Sequence, residues 1–383
     1  GIDLPRALTI GGYAPGGLVN LPALIIALLV TFLLMIGTSE SAKVNAVLVA
    51  IKVTALTIFI VLTLPMMQGE NFDPFMPNGW FGESRGFGAV GAAASIFFAY
   101  VGFDAVSTAA EETKNPQRNV PIGLIGSLAI CTVFYLLVAA GAIGTVGAQP
   151  IVDAAGVTLA PGSTEFAAQC QALLTAGHEP LVCSHEALAF VLRTIGHPAF
   201  GNMIGIAAFL ALPSVILIML FGQTRIFFVM ARDGLLPEKL ATIHPKWKTP
   251  HIVTAITGVA VSVFAAFLPV GQLADISNSG TLFAFLMVAV AVLILRRTDP
   301  DRHRPFRTPL VWIVAPLAII GCLGLFYNLP FDAKMVLPIW GGIGLLLYFA
   351  YGYRTSHVGR GHIEVHESDA DAPPQPVPPI SDQ

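Results

Sequence analysis

Phe97-Phe98-Ala99-Tyr100-Val101-Gly102-Phe103-Asp104-Ala105 is almost wholly apolar, yet it holds a glycine and, two residues later, an acid. Just upstream, Gly88, Gly91, Ala92, Ala93, Ala94 and Ser95 form a small-residue face on which another helix can pack closely. The surrounding segment, 87–113, exceeds the roughly 20 apolar residues that a helix needs to cross a hydrocarbon core of about 30 Å. Phe98 to Gly102 fall near the middle of that crossing. Gly102 relaxes the backbone there, and a helix broken at that depth exposes carbonyl oxygens at the end of its first half. Those oxygens carry the negative end of the helix dipole and suit an ammonium group. Asp104 would open the second half, where a carboxylate can cap N–H groups. The plainer alternative is an unbroken helix with Asp104 bonded to a neighbour. Ionisable groups inside a membrane are mostly functional.

The rest of the 383-residue chain agrees with a lipid setting. Only 11% of residues are Asp, Glu, Lys or Arg, against about 25% in soluble proteins. Mean hydropathy is +0.75. A net charge of −3 gives no reason to expect nucleic acid as a partner. Nine segments are long and apolar enough to span: 19–38, 43–65, 87–113, 121–147, 200–231, 250–269, 274–295, 309–328 and 335–353. Backbone groups in lipid must be satisfied internally, so these are helices, and the chain is an all-α polytopic membrane protein. Segment 200–231 is long for one span and implies tilt or an extension beyond the lipid.

Charge sets the orientation. Lys114 and Arg118, then Arg232, Lys239, Lys246 and Lys248, then Arg296, Arg297, Arg302, Arg304 and Arg307 occupy alternate loops, and Arg354 and Arg360 follow the last span. The intervening loops are nearly bare of cations. Positive residues collect in the cytoplasm, which puts the C-terminus on the cytoplasmic side of a cell membrane and residues 1–18 on the other side. A transmembrane domain over 19–353 is then followed by a tail, 354–383, whose acids and prolines read as disordered. Cys170 and Cys183 lie in a long polar loop and can pair if it faces an oxidising compartment. Cys131 and Cys322 read as small hydrophobes in spans.

Lys52 is the only charged residue between Lys43 and Glu70. It lies roughly 13 Å along a helix from Lys43, too deep for easy snorkelling. An ammonium withdrawn from water gives up its proton more readily, as a proton-coupled carrier requires. The alternative is a structural pair with Asp104 or a carbonyl. Gln223, Arg225, Arg232 and Asp233 read as a structural network or gate at a helix end, and Glu111 and Glu112 as ion-pair partners near Lys114. Asp275, Asn278, Ser279 and Thr281 open a span where interface capping explains them as well as function does. HExxH, GxSxG and P-loop patterns do not occur, and no CxxC motif or zinc-type Cys/His spacing does. The expectation is a carrier, not an enzyme, with no cofactor and no metal.

The run from Ser95 to Ala105, continuing Ser107-Thr108-Ala109-Ala110-Glu111-Glu112-Thr113-Lys114-Asn115-Pro116-Gln117-Arg118, resembles helix six of the amino acid–polyamine–organocation transporters, nearest their cationic amino acid transporter branch. Gly222-Gln223-Thr224-Arg225-Ile226 and Met230-Ala231-Arg232-Asp233-Gly234-Leu235-Leu236-Pro237 resemble that branch's helix eight and following loop. Gly37-Thr38-Ser39-Glu40-Ser41-Ala42 resembles its turn between helices four and five. The resemblance extends to about residue 353. It implies a LeuT-type inverted-repeat fold, secondary active transport of amino acids, and a substrate site on Phe98, Ala99, Val101, Gly102 and Asp104. It makes Lys52 the counterpart of a lysine that stands in for sodium, hence proton coupling, and Ser214 an ion-site neighbour. Ser214 follows Pro213 where relatives often have threonine.

On that register the spans match helices four to twelve, and helices one to three have no counterpart. Gly1 and the outside start of the first span point to an N-terminally truncated chain. The alternative is a natural short form that does not transport, but assembles with or regulates a full-length permease.

Overall fold

The computed structural model describes residues 5–9, 11–12, 17–37, 42–82, 88–103, 113, 115–159, 163–184, 186–301, 304 and 306–357. The acidic and proline-rich tail beyond 357, Asp104, Glu111, Glu112 and Lys114 lie outside them.

Every one of the nine apolar segments contains a helix. In chain order these are α1 (Leu21–Ile36), α2 (Ala42–Thr63), α3 (Gly88–Ile96) and α4 (Pro116–Val146). Two short helices, α5 (Thr164–Thr175) and α6 (Ala187–Thr194), precede α7 (Pro198–Arg232). Then come α8 (His251–Phe267), α9 (Val270–Thr298), α10 (Val311–Asn328) and α11 (Phe331–Leu347). Among the described residues, six helical stretches are long and apolar enough to cross a membrane as continuous rods; α1, α3 with its extension, and α8 are shorter apolar helices. The protein is an all-α, polytopic membrane protein.

Local chemistry explains the helix ends. The Asn20 side chain accepts the Ala23 N–H at 3.1 Å, Pro22 fills the first turn of α1, and Gly37 at φ 86° ends it. Segment 200–231 proves to be one 35-residue helix, α7, roughly 50 Å long. Pro213 lies inside it and cannot donate to the carbonyl one turn back, a place where such a helix can bend.

Side chains meet in three buried clusters. Ala55 and Phe59 of α2, Ala142 of α4, Val191 and Leu192 of α6, and Ile204 and Ala207 of α7 make the first. Val30 and Leu34 of α1 meet Leu217 and Leu220 of α7 in the second. Ala94 of α3, Leu282 of α9, and Leu329 and Ala333 at the α10–α11 junction form the third. Close approaches are bought by absent side chains: a Cβ on Gly258 of α8 would lie 2.1 Å from Thr31 Cγ2 of α1. Facing outward, α4 presents Ile122, Ile125, Ile130, Val133 and Leu136, all exposed. An apolar surface of that extent suits lipid and not water.

The loop between α4 and α7 departs from a simple polar connection. Ser163 caps α5 by accepting the Phe166 N–H at 3.1 Å. A disulfide joins Cys170 of α5 to Cys183, with Cα atoms 5.6 Å apart. From there α6 turns inward, and its Val191 and Leu192 are fully buried.

Candidate functional site

The helix does break. α3 is α-helical to Ile96 and tightens into a 3-10 turn over Phe97–Tyr100. Val101 is extended, at φ −61° and ψ 133°. Gly102 follows at φ 115°, a conformation that strongly favours glycine. A Cβ there would also lie 3.4 Å from Met219 Sδ of α7.

Aromatic rings hold the interruption from both sides. Phe285 of α9 meets Phe97 edge-on at 6.0 Å and Phe103 tilted at 5.2 Å. On the other flank Tyr100 meets Tyr135 of α4 edge-on at 5.3 Å. These separations are typical of favourable ring pairs. Phe98 and Ala99 are exposed, and Val101 and Gly102 are half-buried.

Two carbonyl oxygens expected to stand open at the break already have a partner. The Val101 N–H donates to Phe98 O at 3.1 Å, and the Tyr135 hydroxyl donates to Ala99 O at 2.8 Å. The physical reason is general: a backbone acceptor kept from water by lipid or protein is costly when left unpaired, so neighbouring donors take it up. Each carbonyl keeps a second lone pair, and the Tyr135 oxygen can still accept. The break is therefore a pre-formed polar cluster and not a set of bare oxygens.

Further along, the Asn278 amide of α9 donates to Ala94 O at 3.1 Å and Ser95 O at 3.2 Å. Asn278 does not cap its own helix: α9 begins at Val270, after Pro269.

Lys52 and Ser214, expected in one region, are in contact. Lys52 Nζ donates to Ser214 Oγ at 3.3 Å, and the Ser214 hydroxyl donates to Ala211 O at 2.8 Å. Ser214 is buried and Lys52 half-buried. This pair joins α2 to α7, and Met219, which faces Gly102, lies five residues along α7, about 7.5 Å. Among the described residues, the hydrogen bond of Lys52 goes to a hydroxyl, not to a carbonyl of the break. Of the expected helix-end network, Arg232 Nε pairs with Asp233 Oδ1 at 3.1 Å, and Arg225 stacks over the Phe221 ring at 4.6 Å.

The pattern has known counterparts. The profile of the family described as "Amino acid permease" matches residues 17–350. The chain belongs to the amino acid permease family. Among its relatives, the branched-chain amino acid permease BcaP of Bacillus subtilis (strain 168) is 38% identical over 363 residues, covering 94% of this chain and 70% of that protein. The methylthioribose transporter of the same organism is 36% identical, covering 93% of this permease and 69% of the relative. The vacuolar cationic amino acid transporter 4 of Arabidopsis thaliana is 33% identical over 282 residues, 73% of this permease and 41% of the relative.

Proposed function

We propose that this permease carries amino acids across the cell membrane by secondary active transport, coupled to protons. The observation that carries the reading is the interruption at Val101–Gly102, set beside the Lys52–Ser214 hydrogen bond within a chain of the amino acid permease family. In this reading the ammonium group of the substrate is received at the break by carbonyl lone pairs around Phe98, Ala99 and Val101 and by the Tyr135 oxygen. Gly102 lets the chain turn, and Asp104 adds a carboxylate. Lys52 takes and releases the coupled proton, and Ser214 accepts its hydrogen bond while it is charged.

Orientation follows from two independent features. The basic loops after α3, α7 and α9 and the C-terminus are cytoplasmic. The Cys170–Cys183 loop lies on the other side, where a disulfide persists.

The test is uptake by the permease in proteoliposomes under an inward proton gradient, with leucine, arginine and methylthioribose as labelled candidates. Each unit of pH gradient can drive at most about a tenfold accumulation for one coupled proton. An amino acid should accumulate, a protonophore should abolish the accumulation, and Lys52→Ala should do the same. Asp104→Asn should slow uptake. Accumulation of methylthioribose alone, which has no α-ammonium group, would defeat the role assigned to the break.

A further inference from the structure

Asn278 and Ser279 sit two turns inside α9, and neither side chain has any exposed surface. Asn278 Oδ1 and Ser279 Oγ are both buried without a hydrogen-bond partner. The Asn278 NH2 group faces two carbonyl oxygens at the end of α3, Ala94 O and Ser95 O. Both partners are acceptors, so the amide can bond only with its nitrogen toward α3. That orientation leaves Oδ1 buried without a donor. A leucine has nearly the same shape and would remove the orphaned Oδ1, but also the two bonds to Ala94 O and Ser95 O. The gain and the loss offset each other, so stability alone does not call for asparagine at 278.

The two carbonyls lie where the α-helical hydrogen-bond pattern of α3 gives way to the 3-10 turn of Phe97–Tyr100. The last helical turn before an interruption fixes the direction in which the following carbonyls point. We propose that Asn278 is a positioning residue for the amino acid site: its amide grips the end of α3 and fixes the aim of the Phe98–Val101 backbone. Tyr135 holds the same segment from α4 at Ala99 O, so the break is held from two helices. This inference rests on the transport reading above.

The decisive variant is Asn278→Leu, which keeps the volume and removes both the donor pair and the orphaned acceptor. Thermal unfolding of the purified permease should be unchanged or shifted upward. Affinity for the transported amino acid should fall roughly tenfold, as expected for losing one or two hydrogen bonds that set its contacts. Hydrogen exchange over residues 97–103 should quicken. Ser279→Ala, which removes only the neighbouring hydroxyl, should leave affinity and exchange as in the wild type.

A structural role moves the readouts differently. Lower thermal stability with unchanged affinity overturns the proposal, as does a joint loss of both, which assigns Asn278 to packing. Unchanged affinity and unchanged exchange overturn it as well. If the wild-type permease takes up no amino acid, the transport reading fails, and exchange over 97–103 alone decides whether Asn278 holds the break.

Discussion

Replacing Ser214 by alanine removes the hydrogen bond that ties Lys52 to α7. Among the described residues, the Lys52 ammonium donates to Ser214 Oγ at 3.3 Å. That distance lies just beyond the 2.7–3.2 Å range usual for N–H···O bonds, so its strength belongs at the low end of the ~1.5–3 kcal/mol found for charged donors. A loss of about 1.5 kcal/mol corresponds to a little over tenfold in an equilibrium. The serine is buried and its hydroxyl also donates to Ala211 O at 2.8 Å, a bond within one helical turn whose loss adds little. Ser214→Ala should therefore cut gradient-driven uptake in proteoliposomes by about an order of magnitude. Amino acid exchange at equal pH on both sides requires no net proton movement and should persist near the wild-type rate. The comparison separates coupling from folding and from substrate binding. Gradient-driven uptake within twofold of wild type would refute the reasoning, and so would an equal loss of driven uptake and exchange.

Tyr135→Phe keeps the ring against Tyr100 and removes only the hydroxyl on Ala99 O. Substrate affinity should fall roughly fivefold with little change in unfolding temperature, read by ligand-induced thermal shifts; unchanged affinity argues against a part in the site. The sulfur chemistry gives an independent check. Of four cysteines, Cys170 and Cys183 are paired and Cys131 and Cys322 are free. Denatured, unreduced protein should take up two maleimide groups by mass, and four after reduction. Four before reduction would refute the pairing.

The span pattern was legible because lipid imposes a simple length and polarity rule that leaves its mark on every crossing. Gly102 could be found because an unhindered backbone in the middle of an apolar run is a local property. The polar loop after α4 carries a weaker signal. Its eight-residue helix α6 is too short to register as a span, and only the tertiary fold shows that Val191 and Leu192 enter the first buried cluster.

Asn278 shows how a helix boundary bears on function. With the span begun at 274, Asn278 belongs to a helix start, where capping accounts for it as well as function does. The helix begins at Val270, which moves Asn278 two turns inward, where no cap is needed and a bond to α3 becomes the account. Tyr135 carried a similar signal: a phenol within the 31-residue apolar helix α4 must find an acceptor, but no local pattern says which. Partners 36 and 184 residues away in sequence depend on which faces of which helices meet, and helix periodicity does not determine that.

One helix touches both halves of the proposed mechanism. α7 offers Ser214 to Lys52 and Met219 to Gly102, with about 7.5 Å of rigid backbone between them. A change at Lys52 that releases Ser214 permits α7 to shift, and Met219 conveys the shift to the glycine on which the break turns. Spatial intermediacy alone does not demonstrate such coupling, but a double-mutant cycle does. Ser214→Ala and Met219→Ala should each weaken gradient-driven uptake, and the double variant should depart from the sum of the two. Independent changes add to within about 0.3–0.5 kcal/mol, so a departure of about 1 kcal/mol, roughly fivefold in rate, marks a coupled element. Additivity within that margin means that proton and substrate communicate by another route, because α7 is then only a wall shared by two separate sites.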